Sequence, residues 1–393
     1  MPHFSELTPR PADALLGLMA AYRADPRTDK IDLGVGVYRD QTGNTPVLAA
    51  VRDAERRLAE TQTTKVYEGP QGNLAYCEAI QTMVRGSDPS GCAITFATPG
   101  GTGGLSLGMS LYRRTRENGR VWISRPTWPN HQHIAQTVGL QVGSYGYADA
   151  TDPGVDLDRM LSDLGEAKRG DMVLVQGPCH NPTGIDLSHD QWLTLADFCQ
   201  EKGLLPLIDT AYHGFAASLD DDIAGVQAFL QKCADVLVVY SCSKNFGLYR
   251  ERSGALIVQT DDEKSLEAVR THLADVARAI YSMPPAHGPA IVATILGDAD
   301  LRKAWTEELA SMRTRMVELR RQLAAALQPR SNSYDPAVLN AQNGMFSQLP
   351  FVEGGIAELR ERGLYIPGSG RLNIAGLVSE DIDRAAAEMS AYL

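Results

Sequence analysis

The stretch Val236-Leu237-Val238-Val239-Tyr240-Ser241-Cys242-Ser243-Lys244-Asn245 decides the fold. Its first five residues form a short apolar run rich in valine, which predicts a buried strand. The run then passes into a polar turn that carries Lys244. A lysine is almost never fully buried without a partner or a chemical role. Since ligands of α/β proteins bind beyond the carboxyl ends of parallel strands, Lys244 is the first candidate functional residue.

Comparable apolar runs alternate with helical patterns over residues 94–260, at 94–98, 121–124, 172–176, 205–209 and 255–258. Strands separated by helices indicate βαβ units, so we expect an α/β fold with a mostly parallel sheet and helices on both faces. Residues 301–327 predict one long helix, because apolar residues recur at helical spacing without Pro or Gly. Short strand-like segments at 344–347, 365–366 and 371–374 then favour a smaller α+β domain.

The domain prediction has three parts. Residues 1–40 form an amino-terminal arm and part of the small domain, because they are too few to build a core of their own. Residues 41–300 form the large domain that carries Lys244. Residues 301–393 form the long helix and the rest of the small domain.

Composition excludes several classes of protein. The 393 residues carry a net charge of −11 and no basic tract, so a nucleic-acid partner is not expected. No apolar run approaches the length of a membrane span, and Pro11 and Asp13 interrupt the only stretch resembling a leader segment. The six cysteines show neither a CxxC pair nor zinc-like spacing, so we expect a cytoplasmic protein with reduced thiols and no metal.

Three successive predicted strands end in polar clusters, which contain Asn181, Asp209 with Tyr212, and Lys244. Carboxyl ends of parallel strands meet at one edge of a sheet, so these four side chains should converge. The set suits the pyridine cofactor pyridoxal phosphate: Lys244 would form an imine with the aldehyde, and Asp209 would pair with the protonated ring nitrogen. Tyr212 and Asn181 would donate hydrogen bonds to the ring's phenolate oxygen. Each residue alone has a plain structural explanation (Asp209 as a helix N-cap, Lys244 as a surface lysine), so the hypothesis depends on their joint occurrence.

A phosphate group requires backbone amides and hydroxyls at a helix N-terminus. The glycine-rich residues 98–104 follow a predicted strand and open a helical pattern. A tight turn explains such a cluster equally well. The candidates for the phosphate cradle are Gly101, Thr102, Gly103, Ser241, Ser243 and Arg252.

The next predicted strand, 121–124, helps to judge the dinucleotide-binding alternative and precedes two further candidate residues. It leads to Arg125 rather than to an acidic residue that could hold a ribose, which disfavours a dinucleotide-binding dehydrogenase. Trp128 follows and could stack on the pyridine ring, although a core or rim tryptophan is the plainer reading. His131 could support Asp209 by a hydrogen bond.

Several motifs resemble the class I aminotransferases of the aspartate and aromatic branch. The most specific are Ser-Lys-Asn-Phe-Gly-Leu-Tyr-Arg-Glu-Arg at 243–252, His-Asn-Pro-Thr-Gly at 180–184 and Ser-Gly-Arg at 369–371. The likeness also includes residues 33–38, 281–288 and 343–346, so it covers nearly the whole chain.

This resemblance implies a fold-type I pyridoxal-phosphate enzyme that is a homodimer with active sites at the subunit interface. It supports the roles given above to the catalytic residues (Lys244, Asp209, Tyr212 and Trp128) and to the cofactor-binding ones. It adds Tyr67, which resembles the tyrosine that reaches the cofactor phosphate of the neighbouring subunit. It also adds substrate-binding residues: Arg371 for the α-carboxylate, Arg278 for a distal carboxylate across the interface, and Gly36 together with Asn181 and Trp128.

The chain departs from the family pattern at several positions. Val66 and Met283 replace polar residues near the expected side-chain pocket, which favours aromatic substrates because ring surface would be buried there. Thr210, His213 and Pro178 also depart from the pattern around the cofactor. His213 could alter the cofactor's electronics or domain closure.

The activity that follows is transfer of an amino group between an aromatic or acidic L-amino acid and 2-oxoglutarate, by a ping-pong mechanism through the Lys244 Schiff base. The nearest alternative is a strict aspartate aminotransferase. Ser241-Cys242-Ser243-Lys244 also fits the SxxK pattern of serine acyltransferases and hydrolases, but the companion KTG is absent. A non-catalytic binding or regulatory protein is the third alternative.

Overall fold

The computed structural model describes residues 3–9, 14–87, 89–331 and 333–393. Pro11 and Asp13 lie outside these ranges. The described strands are β1 (Ile31–Asp32), β2 (Cys92–Pro99), β3 (Arg120–Arg125), β4 (Gln141–Gly146), β5 (Met172–Gln176), β6 (Leu205–Thr210), β7 (Val236–Ser241), β8 (Ser253–Thr260), β9 (Phe346–Gln348), β10 (Leu364–Tyr365) and β11 (Arg371–Asn373). The described α-helices are α1 (Ala14–Ala24), α2 (Ala49–Thr61), α3 (Leu74–Arg85), α4 (Gly100–Thr115), α5 (Asn130–Val138), α6 (Leu157–Leu164), α7 (His189–Lys202), α8 (Leu219–Lys232), α9 (Glu263–Ile280), α10 (His287–Gly297), α11 (Ala299–Leu327), α12 (Gly355–Glu361) and α13 (Ile382–Ser390).

The main sheet has seven strands in the order β2-β8-β7-β6-β5-β3-β4. Strand β8 is antiparallel to both of its neighbours, and the other pairings are parallel, which confirms the predicted α/β fold. All six predicted strands lie here, with ends within two residues of the prediction. Strand β4 was not predicted, because Gln-Val-Gly-Ser-Tyr-Gly lacks an apolar run. It is an edge strand paired only with β3, a position that needs less apolar cover.

One edge of this sheet collects the chain ends that matter for function. The parallel strands β5, β6 and β7 all end there, whereas β8 runs in the opposite direction and begins there. Helix α4 packs closely on the sheet, because a Cβ on Gly104 would lie 2.8 Å from Val239 Cγ1 and one on Gly108 would lie 3.1 Å from Leu237 Cδ2. These glycines let α4 bring its N-terminus to the same edge.

The long helix predicted at 301–327 is confirmed as α11, which is about 44 Å long at 1.5 Å per residue. Its first half buries Trp305, whose ring stacks on Phe246 at 4.3 Å between centroids. Its second half buries Leu319 and Leu323 in a separate apolar cluster with the carboxyl-terminal residues.

The carboxyl-terminal strands form two small sheets, in which β9 pairs with β11 and β1 pairs with β10. The amino-terminal segment therefore packs on the carboxyl-terminal region, with Ile31 opposite Leu364. Strand β9 starts later than predicted, at Phe346, because Gly344 has φ +73° and cannot continue a strand. The domain limits 1–40, 41–300 and 301–393 stay a prediction. Among the described helices, none combines the length and apolarity required to cross a membrane.

Candidate active site

A cavity of about 280 Å³ lies at the edge of the sheet where β5, β6 and β7 end. Among the residues predicted from sequence, those that line it are Gly36, Gly101, Thr102, Trp128, Asn181, Asp209, Tyr212, Ser241, Ser243, Lys244, Arg252 and Arg371. Residues from distant parts of the chain thus meet as the strand-end argument predicts.

Lys244 lies in the turn after β7 and lines the cavity. Its Nζ is 4.8 Å from the centroid of the Tyr212 ring. Local hydrogen bonds hold the turn: the backbone N–H of Ser243 donates to Ser241 Oγ at 3.3 Å, and that of Gly247 donates to the carbonyl of Lys244 at 3.0 Å. The lysine is therefore held at the strand end rather than extended into solvent.

The surroundings of Lys244 favour the neutral amine. Burial lowers its pKa from an ordinary 10.5 to about 8. Asp209 opposes this shift, while the positive charges of Arg252 and Arg371 add to it. An amine with such a pKa is partly unprotonated near neutral pH, so it can act as a nucleophile or a base.

Asp209 belongs to a hydrogen-bonded chain. Its Oδ2 lies 3.0 Å from Nε2 of His131, the contact that the sequence predicts. A carboxylate only accepts, so this nitrogen carries the proton. Nδ1 of His131 then accepts from the hydroxyl of Thr127 at 2.7 Å. Trp128 packs edge-on to His131, with ring centroids 5.2 Å apart. The carboxylate is thereby fixed in orientation at the cavity wall.

The glycine-rich end of the cavity forms a cradle for an anion. The guanidinium of Arg252 covers Gly100, because a Cβ there would lie 2.4 Å from Arg252 Nη2. A Cβ on Gly101 would lie 3.2 Å from that of Ser241. Only glycines let the first amides of α4 approach so closely, and helix N-terminal amides beside an arginine bind phosphate well.

Arg371 lines the cavity without an acidic partner among the described residues. Its Nη2 donates to the carbonyl of Gly34 at 2.7 Å and its Nη1 donates to Asn181 Oδ1 at 3.3 Å. The guanidinium carbon stands 4.2 Å over the ring of Phe346, and the buried Nε has no hydrogen-bond partner in the described chain. Burial lowers the pKa of Arg371, but an arginine keeps its charge. An unpaired buried guanidinium is a binding site for a carboxylate.

The loop that carries Asn181 interlocks with the segment that carries Phe346. A Cβ on Gly344 would lie 2.3 Å from Cys179 Cβ and 2.6 Å from its Sγ. Cys179 itself has φ +67°, a conformation uncommon outside glycine. The two backbones are thus pressed together behind Arg371.

Sequence reasoning missed six residues that line the cavity: Leu15, Leu105, Gln176, Ala211, Tyr249 and Phe346. Gln176 is the last residue of a predicted strand, and Phe346 belongs to the motif at 343–346, so both carried a usable indication. Leu15 lies on α1, far from every motif, and nothing in the sequence marks it.

Three predicted residues do not line the cavity of the single chain. Tyr67 is 87% exposed, and Arg278 is an exposed residue whose Nη1 donates to Ser282 Oγ. Gly103 faces Pro99 instead, since a Cβ there would lie 2.7 Å from Pro99 Cδ. Its place in the phosphate cradle therefore stays a prediction, whereas α4's first two glycines meet Arg252 and Ser241.

The structure also locates the residues that depart from the family pattern. Val66 is 76% exposed beside Tyr67, and Met283 is half-buried; neither lines the cavity of one chain. Thr210 is buried and its Oγ1 has no hydrogen-bond partner in the described chain. His213 is buried behind the cavity wall.

A half-buried lysine amine with a pKa near 8, beside an anion cradle, suits a phosphorylated cofactor that is held through a lysine. The fold and the site therefore define an enzyme that uses a phosphorylated cofactor held through a lysine. The chain belongs to the family described as aminotransferase class I and II, whose model matches residues 28–389. This membership confirms the predicted resemblance and leaves the serine acyltransferase and dehydrogenase alternatives without support.

Several relatives match over nearly their whole length. The chain is 45% identical over 389 residues to a tyrosine aminotransferase of Rhizobium meliloti, covering 98% of this chain and 99% of the relative. It is 42% identical over 384 residues to an aspartate aminotransferase of Escherichia coli, covering 96% and 97%. Among solved structures, an aromatic-amino-acid aminotransferase from Burkholderia pseudomallei, covalently bound to pyridoxal phosphate, matches with a TM-score of 0.96 at 38% identity, covering 100% of this chain and 99% of that one.

Proposed function

We propose that the chain is a pyridoxal-phosphate-dependent aminotransferase. It exchanges the amino group between an aromatic or acidic L-amino acid and 2-oxoglutarate by a ping-pong mechanism. The observation that carries the proposal is the half-buried Lys244, in one cavity with Asp209 and with two arginines that have no acidic partner among the described residues. Relatives named tyrosine, aromatic-amino-acid and aspartate aminotransferases support the substrate classes.

The residues of the cavity fit pyridoxal phosphate. The cradle of Gly101, Ser241 and Arg252 offers amides, hydroxyls and a positive charge to the phosphate, and a Cβ at Gly101 would fill part of that space. The Asp209 carboxylate, held by His131, offers a negative charge to a protonated ring nitrogen. Thr102 and Ser243 also line the cavity and would join the cradle, and Trp128, Asn181 and Tyr212 would hold the ring.

When bound, pyridoxal phosphate supplies an aldehyde that condenses with amines and a ring that accepts the electron pair released at the substrate Cα. Lys244 Nζ would hold the cofactor at rest and, as a free amine, would remove the proton from the substrate Cα as the general base. Its pKa near 8 suits this task, because a base is most effective when its pKa lies near the working pH.

Arg371 binds the substrate α-carboxylate. Its unpartnered Nε and its stacking over Phe346 leave the guanidinium oriented and in need of a counter-charge. Asn181, which accepts from Nη1, and Gly36, which lies against the edge of Phe346, complete this end of the substrate site.

We propose a homodimer with shared active sites, in the cytoplasm. Tyr67 and Arg278 are exposed in one chain although the family resemblance assigns them to the site, which two subunits would resolve. Tyr67 of the partner subunit would contact the phosphate, and Arg278 of the partner subunit would bind a distal carboxylate. The free cysteines, all six of which lie in the described chain, agree with a reducing compartment.

The substrate proposal is tested by kcat/KM for phenylalanine, tyrosine and aspartate, each with 2-oxoglutarate. We expect both classes to react, with the apolar Val66 and Met283 favouring the aromatic ones. An aspartate value above both aromatics by several orders of magnitude would instead establish the strict aspartate enzyme. No transamination by the cofactor-loaded protein would refute the proposed function.

Two arginine variants provide matched controls. Arg371→Leu should lower kcat/KM for every amino acid by about 100-fold or more, because a charge-assisted bidentate contact is lost. Arg278→Leu should lower it by a similar factor for aspartate while sparing phenylalanine, because only aspartate has a distal carboxylate. Equal losses for both substrates in Arg278→Leu would contradict the assignment of that arginine.

A further inference from the structure

His213 follows Tyr212 in the chain, but its imidazole lies behind the cavity wall and is 1% exposed. Both of its ring nitrogens are engaged. Nε2 lies 2.6 Å from the carbonyl of Leu219 and Nδ1 lies 2.9 Å from Tyr240 Oη. A carbonyl only accepts, so Nε2 carries the proton and Nδ1 accepts from the Tyr240 hydroxyl. The tautomer and the ring orientation are therefore fixed.

The hydrogen-bonded chain continues toward the catalytic lysine. The Tyr240 hydroxyl accepts from Nδ2 of Asn245 at 2.7 Å, and Asn245 is the residue after Lys244. The carbonyl of Asn245 accepts in turn from Nε1 of Trp305 at 2.7 Å. One directional path thus runs from Asn245 through Tyr240 to His213, and it joins the turn carrying Lys244 to the residue next to Tyr212.

The burial of His213 favours its neutral form, although the Leu219 carbonyl and the acidic side chains of α8 oppose the shift in its pKa. Burial lowers its pKa, and the Tyr240 ring packs edge-on at 5.7 Å. The charged groups that face it are Asp220 and Asp222 of α8. Asp222 is already engaged, because its two carboxylate oxygens accept from four backbone amides of residues 214–218. His213 therefore acts through a hydrogen bond of fixed direction and not through a positive charge.

We propose that His213 is a positioning residue, which fixes Tyr212 relative to Lys244 through Tyr240 and Asn245. The inference rests on the proposed function. His213 does not line the cavity, so it affects the cofactor only through the two residues that its chain aligns. The proposal explains the departure from the family pattern at His213: this residue aligns Tyr212 with Lys244 and does not act directly on the cofactor ring.

Three variants of the cofactor-loaded enzyme test the proposal. His213→Phe keeps a ring but removes both hydrogen bonds, Tyr240→Phe removes only the shared hydroxyl, and His213→Gln retains one donor and one acceptor. The first readout is the pH midpoint of the absorbance change of the bound cofactor. A displaced Tyr212 hydroxyl no longer stabilises the ionised ring oxygen, so the midpoint should rise by about one pH unit in both Phe variants. In His213→Gln it should stay within about 0.3 unit of wild type.

The charged groups that act on Lys244, namely Asp209, Arg252 and Arg371, are unchanged in every variant, so a shift reports alignment. The second readout is steady-state kinetics. We expect kcat to fall by about 10-fold in the Phe variants with KM changed by less than about 3-fold, because substrate binding by Arg371 is untouched. The double variant that combines His213→Phe with Tyr240→Phe should be no worse than the worse single one, since both substitutions break the same path.

Several outcomes would overturn the proposal: folded, cofactor-bound His213→Phe with wild-type midpoint and kcat, equal damage in the Gln and Phe variants, or additive losses in the double variant. If His213→Phe does not fold, Tyr240→Phe and His213→Gln decide by the same criteria. Failure of the proposed function is distinguishable, because the cofactor-loaded wild-type protein itself would then show no transamination.

Discussion

Gly344 offers the sharpest test of how the site is assembled. It has φ +73°, and an added Cβ would lie 2.3 Å from the Cβ of Cys179 and 2.6 Å from its Sγ. The contact presses the segment carrying Phe346 against the loop carrying Asn181, and both residues touch Arg371. Gly344→Ala should therefore destabilise the fold and disturb the arginine.

The magnitude has two parts. A non-glycine residue in the left-handed region costs about 1–2 kcal/mol. Overpacking against a buried neighbour adds about 1–3 kcal/mol. We therefore expect Gly344→Ala to lower the free energy of unfolding by about 2–5 kcal/mol.

A double-mutant cycle separates these parts. Cys179→Gly removes both clashing atoms, and its own φ of +67° suits glycine. In the Cys179→Gly background Gly344→Ala should cost only the backbone part, which gives a coupling energy of about 1–3 kcal/mol. The free energies come from urea unfolding of the four cofactor-free proteins, followed by circular dichroism.

A functional readout accompanies the cycle. Because Phe346 lies beneath the Arg371 guanidinium, Gly344→Ala should also raise KM for phenylalanine and aspartate alike, and Cys179→Gly should restore it. Strictly additive free energies, or a loss below about 0.5 kcal/mol in Gly344→Ala, would refute the interlock.

Three further predictions follow from the buried groups. In the cofactor-free protein, burial lowers the pKa of Lys244 from 10.5 to about 8, so the unfolded chain holds a proton between these pH values that the folded chain has released. This difference in proton binding lowers the free energy of unfolding; the full reduction applies below pH 8 and disappears as pH rises through 10.5. Lys244→Met should therefore be more stable than the wild-type protein by up to about 3 kcal/mol at pH 7. Equal urea midpoints at pH 7 would contradict this. Asp209→Asn should weaken pyridoxal-phosphate binding by about 10- to 100-fold in a fluorescence titration, because the charge facing the ring nitrogen is lost; unchanged affinity would remove Asp209 from the site. Trp305→Phe should lower the free energy of unfolding by about 1–3 kcal/mol, because the buried carbonyl of Asn245 loses its donor at 2.7 Å, whereas an unchanged urea midpoint would show that water replaces it.

The sheet and the centre of the site could be predicted because both follow from local patterns. Apolar runs mark buried strands, and polar residues directly after them must lie at the strand ends. Asp209 and Lys244 therefore needed only the parallel arrangement to be brought together. Strand β4 was not predicted, because an edge strand needs few apolar residues.

The remaining features depend on contacts between distant parts of the chain. Leu15 reaches the cavity from α1, and Phe346 is placed there by close backbone contact at Gly344. His213 could be noticed as a departure, but the direction of its hydrogen bonds depends on Leu219 and Tyr240 in the folded protein. Tyr67 and Arg278 could be assigned only by family resemblance, because one chain leaves them outside the cavity.

The central claim is that Lys244 carries the cofactor. The most direct measurement is to load the protein with pyridoxal phosphate, reduce it with borohydride and map the modified peptide by mass spectrometry. The predicted result is one phosphopyridoxyl group per chain, on Lys244, and none in Lys244→Ala. A group on another lysine, or transamination by Lys244→Ala at the wild-type rate, would contradict the account.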